Sequence, residues 1–118
     1  MKNFKVFASL SLGLIFILSG CAKEHLTGVP DCVNKLIMEM QAEPVSNPPG
    51  SVWQYQYKGK TVYFIPARCC DIPSRLLSSD CSLICNPDGG FSGAGDGKCK
   101  DFFSERTEEK LVWQDKRK

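Results

Sequence analysis

The stretch from Cys69 to Cys99, CCDIPSRLLSSDCSLICNPDGGFSGAGDGKC, constrains what this chain can fold into more than any other. It holds five of the seven cysteines, a cluster of glycines and almost no hydrophobic periodicity. Covalent cross-links must therefore supply much of what a packed core supplies elsewhere. No constellation of residues states an activity, so the sequence speaks to location and architecture.

The first twenty residues read as a targeting segment. Lys2 and Lys5 form a positive n-region, and the apolar run from Val6 to Leu18 falls short of the ~20 residues that span a bilayer. Leu18-Ser19-Gly20-Cys21 closes the run, and this box resembles the lipobox of bacterial lipoproteins. The resemblance implies cleavage between Gly20 and Cys21 after the Cys21 thiol has received a diacylglycerol. Acyl chains such as palmitate, at ~0.8 kcal/mol per buried methylene, then hold a soluble domain on a membrane without a spanning helix. Ala22 stands where an aspartate would mark inner-membrane retention, so the resemblance implies the outer membrane, with the domain periplasmic or surface-exposed. Lys23-Glu24 partly matches the charged signals of surface lipoproteins and equally suits a solvated tether.

Removing the targeting segment takes away Lys2 and Lys5 and leaves 98 residues, with 13 basic and 13 acidic side chains. A balance of zero carries no nucleic-acid signature, and the basic tail Lys116-Arg117-Lys118 reads as a solvated end. Six cysteines remain once Cys21 is spent as an anchor: Cys32, Cys69, Cys70, Cys81, Cys85 and Cys99. An even number in an exported domain implies three disulfides, with Cys32 tied into the Cys69–Cys99 segment because five cysteines cannot all pair among themselves. Cys85 is expected to pair with Cys99 and close the glycine loop. The successive Cys69 and Cys70 point to opposite sides of an extended chain and suit two different partners. Zinc is the alternative, but no Cys-x-x-Cys occurs and the single histidine, His25, lies outside the cysteine-rich part.

The expected fold is α+β: one N-terminal helix packed on a short antiparallel sheet, with a long loop-rich cysteine segment. Residues 21–30 read as a lipidated tether and 31–118 as a single disulfide-rich domain. Asp31 stands as an N-cap, and Val33, Leu36, Ile37 and Met40 recur at helical spacing, which predicts a helix over 31–42. VWQYQY and KTVYFI flank Lys58-Gly59 and predict a hairpin with Tyr57 opposite Lys60. That register puts Trp53, Tyr55, Val62 and Phe64 on one face, expected to pack on the helix as core. Gln54, Gln56, Thr61 and Tyr63 then form the solvent face. Asp101 to Arg106 predicts a helical turn, and Lys110 to Gln114 an edge strand joining the sheet.

The glycine loop after Asn86-Pro87 lacks both GxGxxG and GK[ST], and its Asp88 and Asp96 lack the alternating ligands of an EF-hand, so it reads as structural. With no histidine after residue 25, Ser-His-Asp and Cys-His catalysis are excluded. A carboxylate pair from Asp71, Asp80, Asp88 and Asp96 is the enzymatic alternative. A protease-inhibitor-like module, with Asp88 to Lys98 as reactive loop, is the other.

Together, Asn47-Pro48-Pro49-Gly50-Ser51-Val52-Trp53, the Gly59-Lys60-Thr61-Val62-Tyr63 hairpin, Cys69-Cys70-Asp71 and Pro87-Asp88-Gly89-Gly90 through Gly95-Asp96-Gly97-Lys98-Cys99 resemble an uncharacterised bacterial lipoprotein family, classed as a domain of unknown function. The resemblance covers about residues 31–115 and implies a fold and a location, with no catalytic residue and no cofactor. The expectation is a non-enzymatic binding or scaffold module of the cell envelope. Membrane lipid is its first partner and an envelope protein or glycan its second.

Overall fold

A computed structural model describes residues 25–69 and 71–118, with 13 and 15 as isolated positions. The rest of the targeting segment, the anchor candidate Cys21 and Cys70 lie outside the described residues. The elements run α1 (Asp31–Ala42), β1 (Ser51–Tyr57), β2 (Lys60–Ile65), β3 (Arg75–Leu77), β4 (Leu83–Cys85), α2 (Phe102–Glu105) and β5 (Thr107–Gln114). The five strands form one antiparallel sheet in the order β4-β3-β2-β1-β5. The class is α+β, braced by the disulfides Cys32–Cys81 and Cys85–Cys99.

The central hairpin has the expected register, with Tyr57 opposite Lys60 and Trp53 opposite Phe64. Its two turn residues, Lys58 and Gly59, both have positive φ (51° and 76°). That is the backbone of a type I′ turn, whose twist matches the right-handed twist of the strands it joins. β3 and β4, three residues each, were expected as loop. Strands so short carry too few alternations to show a period in sequence.

The helix lies on the opposite face of the sheet from the one expected. Tyr55, Tyr57, Val62 and Phe64 do not pack on α1; they pack with Leu76, Cys85, Cys99 and Phe102 on the other side of the sheet. Trp53 is a partly buried neighbour of that cluster, its indole N–H donating to Ser51 Oγ at 3.1 Å. Helix α1 covers the opposite face, where Val33, Ile37 and Met40 meet Val52, Tyr63, Ile65 and Leu77. Tyr63, expected in solvent, is 2% exposed. The sheet is therefore buried on both faces. Four-residue α2 suffices on the second side because Phe102 reaches the rings of Tyr55, Tyr57 and Phe64 at centroid distances of 5.6, 5.4 and 5.3 Å.

This burial raises all three tyrosines. Tyr55 is pushed up to about 12 by desolvation and by the hydrogen bond it donates to Glu109 (2.7 Å), against the opposing Arg106 guanidinium. Tyr57 is raised by desolvation and its bond to Asp101 (2.5 Å), and Tyr63 by desolvation. The folded chain holds these protons more tightly than the unfolded one, whose tyrosines titrate near ~10. The stability they contribute is intact below pH ~10 and is lost as pH rises through the raised folded values. The urea midpoint is expected to fall as pH is taken from ~10 towards ~12, and phenolate absorbance to rise later in the native protein than in denaturant. Native tyrosines titrating at the ordinary value would contradict the packing.

Helix α1 begins differently from expectation. Pro30 occupies the cap, with its carbonyl accepting the Val33 and Asn34 amides at 3.0 Å each, and no side chain caps the helix. Asp31 sits instead in the first turn, where a carboxylate is favoured by the helix dipole. At the other end Glu43 is extended, Pro44 blocks continuation, and the free carbonyls find a distant donor. Arg117 donates to Gln41 O and Glu43 O at 2.9 Å each and to Met40 O at 3.4 Å. The buried Asp115 grips the same guanidinium through Nε (3.0 Å) and Nη2 (2.8 Å), and its own amide donates to Gly50 O at 2.8 Å. So Arg117, expected as part of a solvated tail, clamps the end of α1. The contact supplies the carbonyl partners that a helix C-terminus lacks.

The tether is also shorter than expected. Asn34, buried on the inner stripe of α1, accepts the Leu26 amide at 2.9 Å. It donates to Leu26 O at 3.1 Å and Val29 O at 3.3 Å. Leu26 and Val29 pack against the α1-side core. Residues 26–30 belong to the domain, because one buried amide satisfies the backbone of the incoming segment.

Candidate functional site

The cysteine-rich segment is built around a small buried hydroxyl. Ser74 precedes β3, and its amide and Oγ both donate to Asp88 O, at 3.0 and 3.1 Å. Ser74 Oγ accepts the Asp88 amide at 3.0 Å, and Ser74 O accepts Asn86 Nδ2 at 2.6 Å. These bonds hold the start of the glycine loop against the sheet, beside the buried Pro87. Between β3 and β4 the chain turns through Ser78 to Ser82. There Asp80 accepts from Ser78 Oγ and the Ser82 amide, which pull its carboxyl down to about 2. Cys32–Cys81 fastens this turn to the first turn of α1, and Ser79 Oγ donates to Thr61 O at 3.2 Å.

The glycine loop is curled on itself. The Gly89, Gly93 and Gly95 amides donate to Gly93 O, Gly90 O and Gly89 O, at 3.1, 3.2 and 3.1 Å, and the Asp96 amide donates to Asn86 O at 2.9 Å. Gly95 is obligatory, since its φ is +68° and a Cβ there would lie 2.0 Å from Asn86 O. The Asp96 carboxylate accepts the Lys98 and Asn86 amides at 3.0 Å each, bonds that hold it below the usual carboxylate range. Cys85–Cys99 closes the loop, as expected. The result presents Phe91, 95% exposed, beside a shallow depression lined by Asp71, Pro73, Asn86, Gly90 and Ser92. A backbone so curled leaves no extended stretch that a protease cleft could take as a strand.

Cys32 pairs with Cys81 and Cys85 with Cys99, and Cys69 is disulfide-bonded as well. Cys21 and Cys70 lie outside the described residues. Of the four carboxylates, Asp71 and Asp96 line one depression, but both Asp96 oxygens are committed to backbone amides. Asp80 accepts both of its turn bonds through one oxygen, Oδ1, and Asp88 keeps one buried oxygen without a hydrogen-bond partner among the described residues. No group of three or more His, Cys, Asp or Glu is placed to hold a metal among the described residues.

A second surface lies on the α1 side. Leu26, Gln41, Leu111, Trp113 and Lys116 line a groove between the incoming segment and edge strand β5. Sequence reasoning missed its two organisers, Asn34 and Arg117. A signal for Asn34 existed, a polar residue between Val33 and Ile37 on an apolar helix stripe. A single arginine 76 residues from its partner gives none.

Residues 38–115 match the family model described as a domain of unknown function, DUF6970. No curated protein and no solved structure matches the chain.

Proposed function

The chain belongs to this family of unknown function, and we propose that it is a lipid-anchored lipoprotein of the cell envelope, a non-enzymatic binding or scaffold module held on the outer membrane through Cys21. The observation that carries the reading is the box Leu18-Ser19-Gly20-Cys21 directly after an apolar run too short to span a bilayer. Disulfide bracing supports it, because such bonds persist where the surroundings are oxidising, as they are outside the cytoplasm. The commitment of Asp80 and Asp96 to local hydrogen bonds, and a chain with no histidine beyond His25, favour binding over hydrolysis. The exposed Phe91 on a covalently closed loop offers an envelope protein or glycan an aromatic contact at little cost in ordering.

Metabolic labelling with a clickable palmitate analogue tests the anchor. The wild-type chain is expected to take the label and to fractionate with membranes, and Cys21→Ser to lose both. Equal labelling of the two would remove the anchor and the localisation with it.

A further inference from the structure

We propose that the groove between Leu26 and β5 is the face this domain sets against the lipid surface, where Lys116 and Lys118 meet anionic headgroup phosphates. The inference rests on the anchor at Cys21 and deepens it by fixing which way the domain sits. From Cys21 to His25 the chain has four peptide units, which extend at most about 14 Å however they are arranged. A headgroup layer is roughly 5–8 Å thick on each side of the bilayer. A tether free as far as Pro30 would span about twice that length and leave the orientation open. The Asn34 bonds to Leu26 and Val29 remove that freedom, so the chain leaves the domain at a fixed point close to the membrane.

What surrounds that point suits a headgroup layer. Leu26 shares its groove with Leu111 and Trp113, and Leu111 is well exposed on the edge strand. Arg117 is already committed to Asp115 and the end of α1, which leaves the ammonium groups of Lys116 and Lys118 for phosphate. Of the acidic groups there, Asp115 is ion-paired with Arg117 at 2.8 Å and Glu109 accepts the Tyr55 hydroxyl on the other face of the sheet, while Asp31 lies 3.3 Å from His25 and Glu43 stays exposed. Basic groups beside an apolar rim gain affinity for an anionic surface, each additively and in a salt-dependent way. The opposite face of the sheet carries α2 and the Cys85–Cys99 loop with Lys98 and Lys100, and it is turned to the aqueous side.

Lysine footprinting of the acylated wild-type protein tests this without any substitution. Acetylation of each lysine is followed by mass spectrometry, first in detergent and then in vesicles of phosphatidylethanolamine and phosphatidylglycerol. Lys116 and Lys118 are expected to slow by about fivefold on reconstitution, while Lys98 and Lys100 keep their rates. Protein that floats with the vesicles but protects all four alike, or protects Lys98 and Lys100 instead, overturns the orientation and leaves the anchor standing. Protein that does not float overturns both.

Discussion

Replacing Phe102 by Ala is expected to cost about 3–5 kcal/mol, much of the stability of a domain this size. Phe102 is fully buried and touches the rings of Tyr55, Tyr57, Phe64 and Phe103. Nothing else in α2 reaches so deep, and a helix of four residues has no stability of its own. Removing the ring opens a cavity between the sheet and the Cys85–Cys99 cystine and also unseats Arg106, which stacks over Tyr55 at 4.7 Å. Phe103 is its internal control, being 41% exposed, and Phe103→Ala is expected to cost about 1–2 kcal/mol. Urea denaturation followed by tryptophan fluorescence compares them. If Phe103→Ala proved as damaging as Phe102→Ala, α2 would not be seated on the sheet as described.

Removing the long-range disulfide with Cys32→Ser and Cys81→Ser together is expected to cost about 4 kcal/mol, because the bond closes a loop of ~50 residues in the unfolded chain. The same exchange at Cys85 and Cys99, only 14 residues apart, should cost about 3 kcal/mol. The first pair also joins the α1 side of the structure to the β3–β4 turn, so its loss releases the helix from one of its two fixed ends. Equilibrium unfolding under non-reducing conditions gives the order directly. A larger loss from the shorter loop would show that chain entropy is not what these bonds contribute.

Much of the fold was legible in the sequence where local chemistry dictates it. The helix over 31–42 follows from spacing and Pro44, the hairpin from alternation around Lys58-Gly59, and edge strand β5 from KLVWQ with charged flanks. The closure of the glycine loop by Cys85 and Cys99 was readable because a long glycine-rich insert needs fixing at both ends. What failed was the choice of partner for each sheet face. Alternation says which residues share a face and is silent about what covers it, and a four-residue helix was not weighed as a cover. The incoming segment failed for a related reason. AKEHLTGVP is polar and broken by Gly28 and Pro30, yet Asn34 on the helix supplies the bonds that make its second half ordered. In the candidate site, the bent backbone at Gly95 and the carboxylate clamp of Asp96 depend on atoms of Asn86, nine and ten residues away, which no local pattern records.

The position of β1 between β2 and β5 sets an order of events during synthesis. Its first neighbour follows after a two-residue turn, whereas Tyr55 and Glu109, which meet across the second boundary, are separated by 54 residues. A growing chain therefore has its hairpin long before it has the strand that completes it. Contacts of such separation require loop closure before they repay it, so the closing step is slow compared with the hairpin. Through that interval the outer edge of β1 stands with its amides and carbonyls unpaired beside Trp53 and Tyr55, a template for any other extended chain. The hazard ends when Thr107–Gln114 docks, because the new edge it presents begins with Thr107-Glu108-Glu109-Lys110, whose charges discourage a further strand from adding.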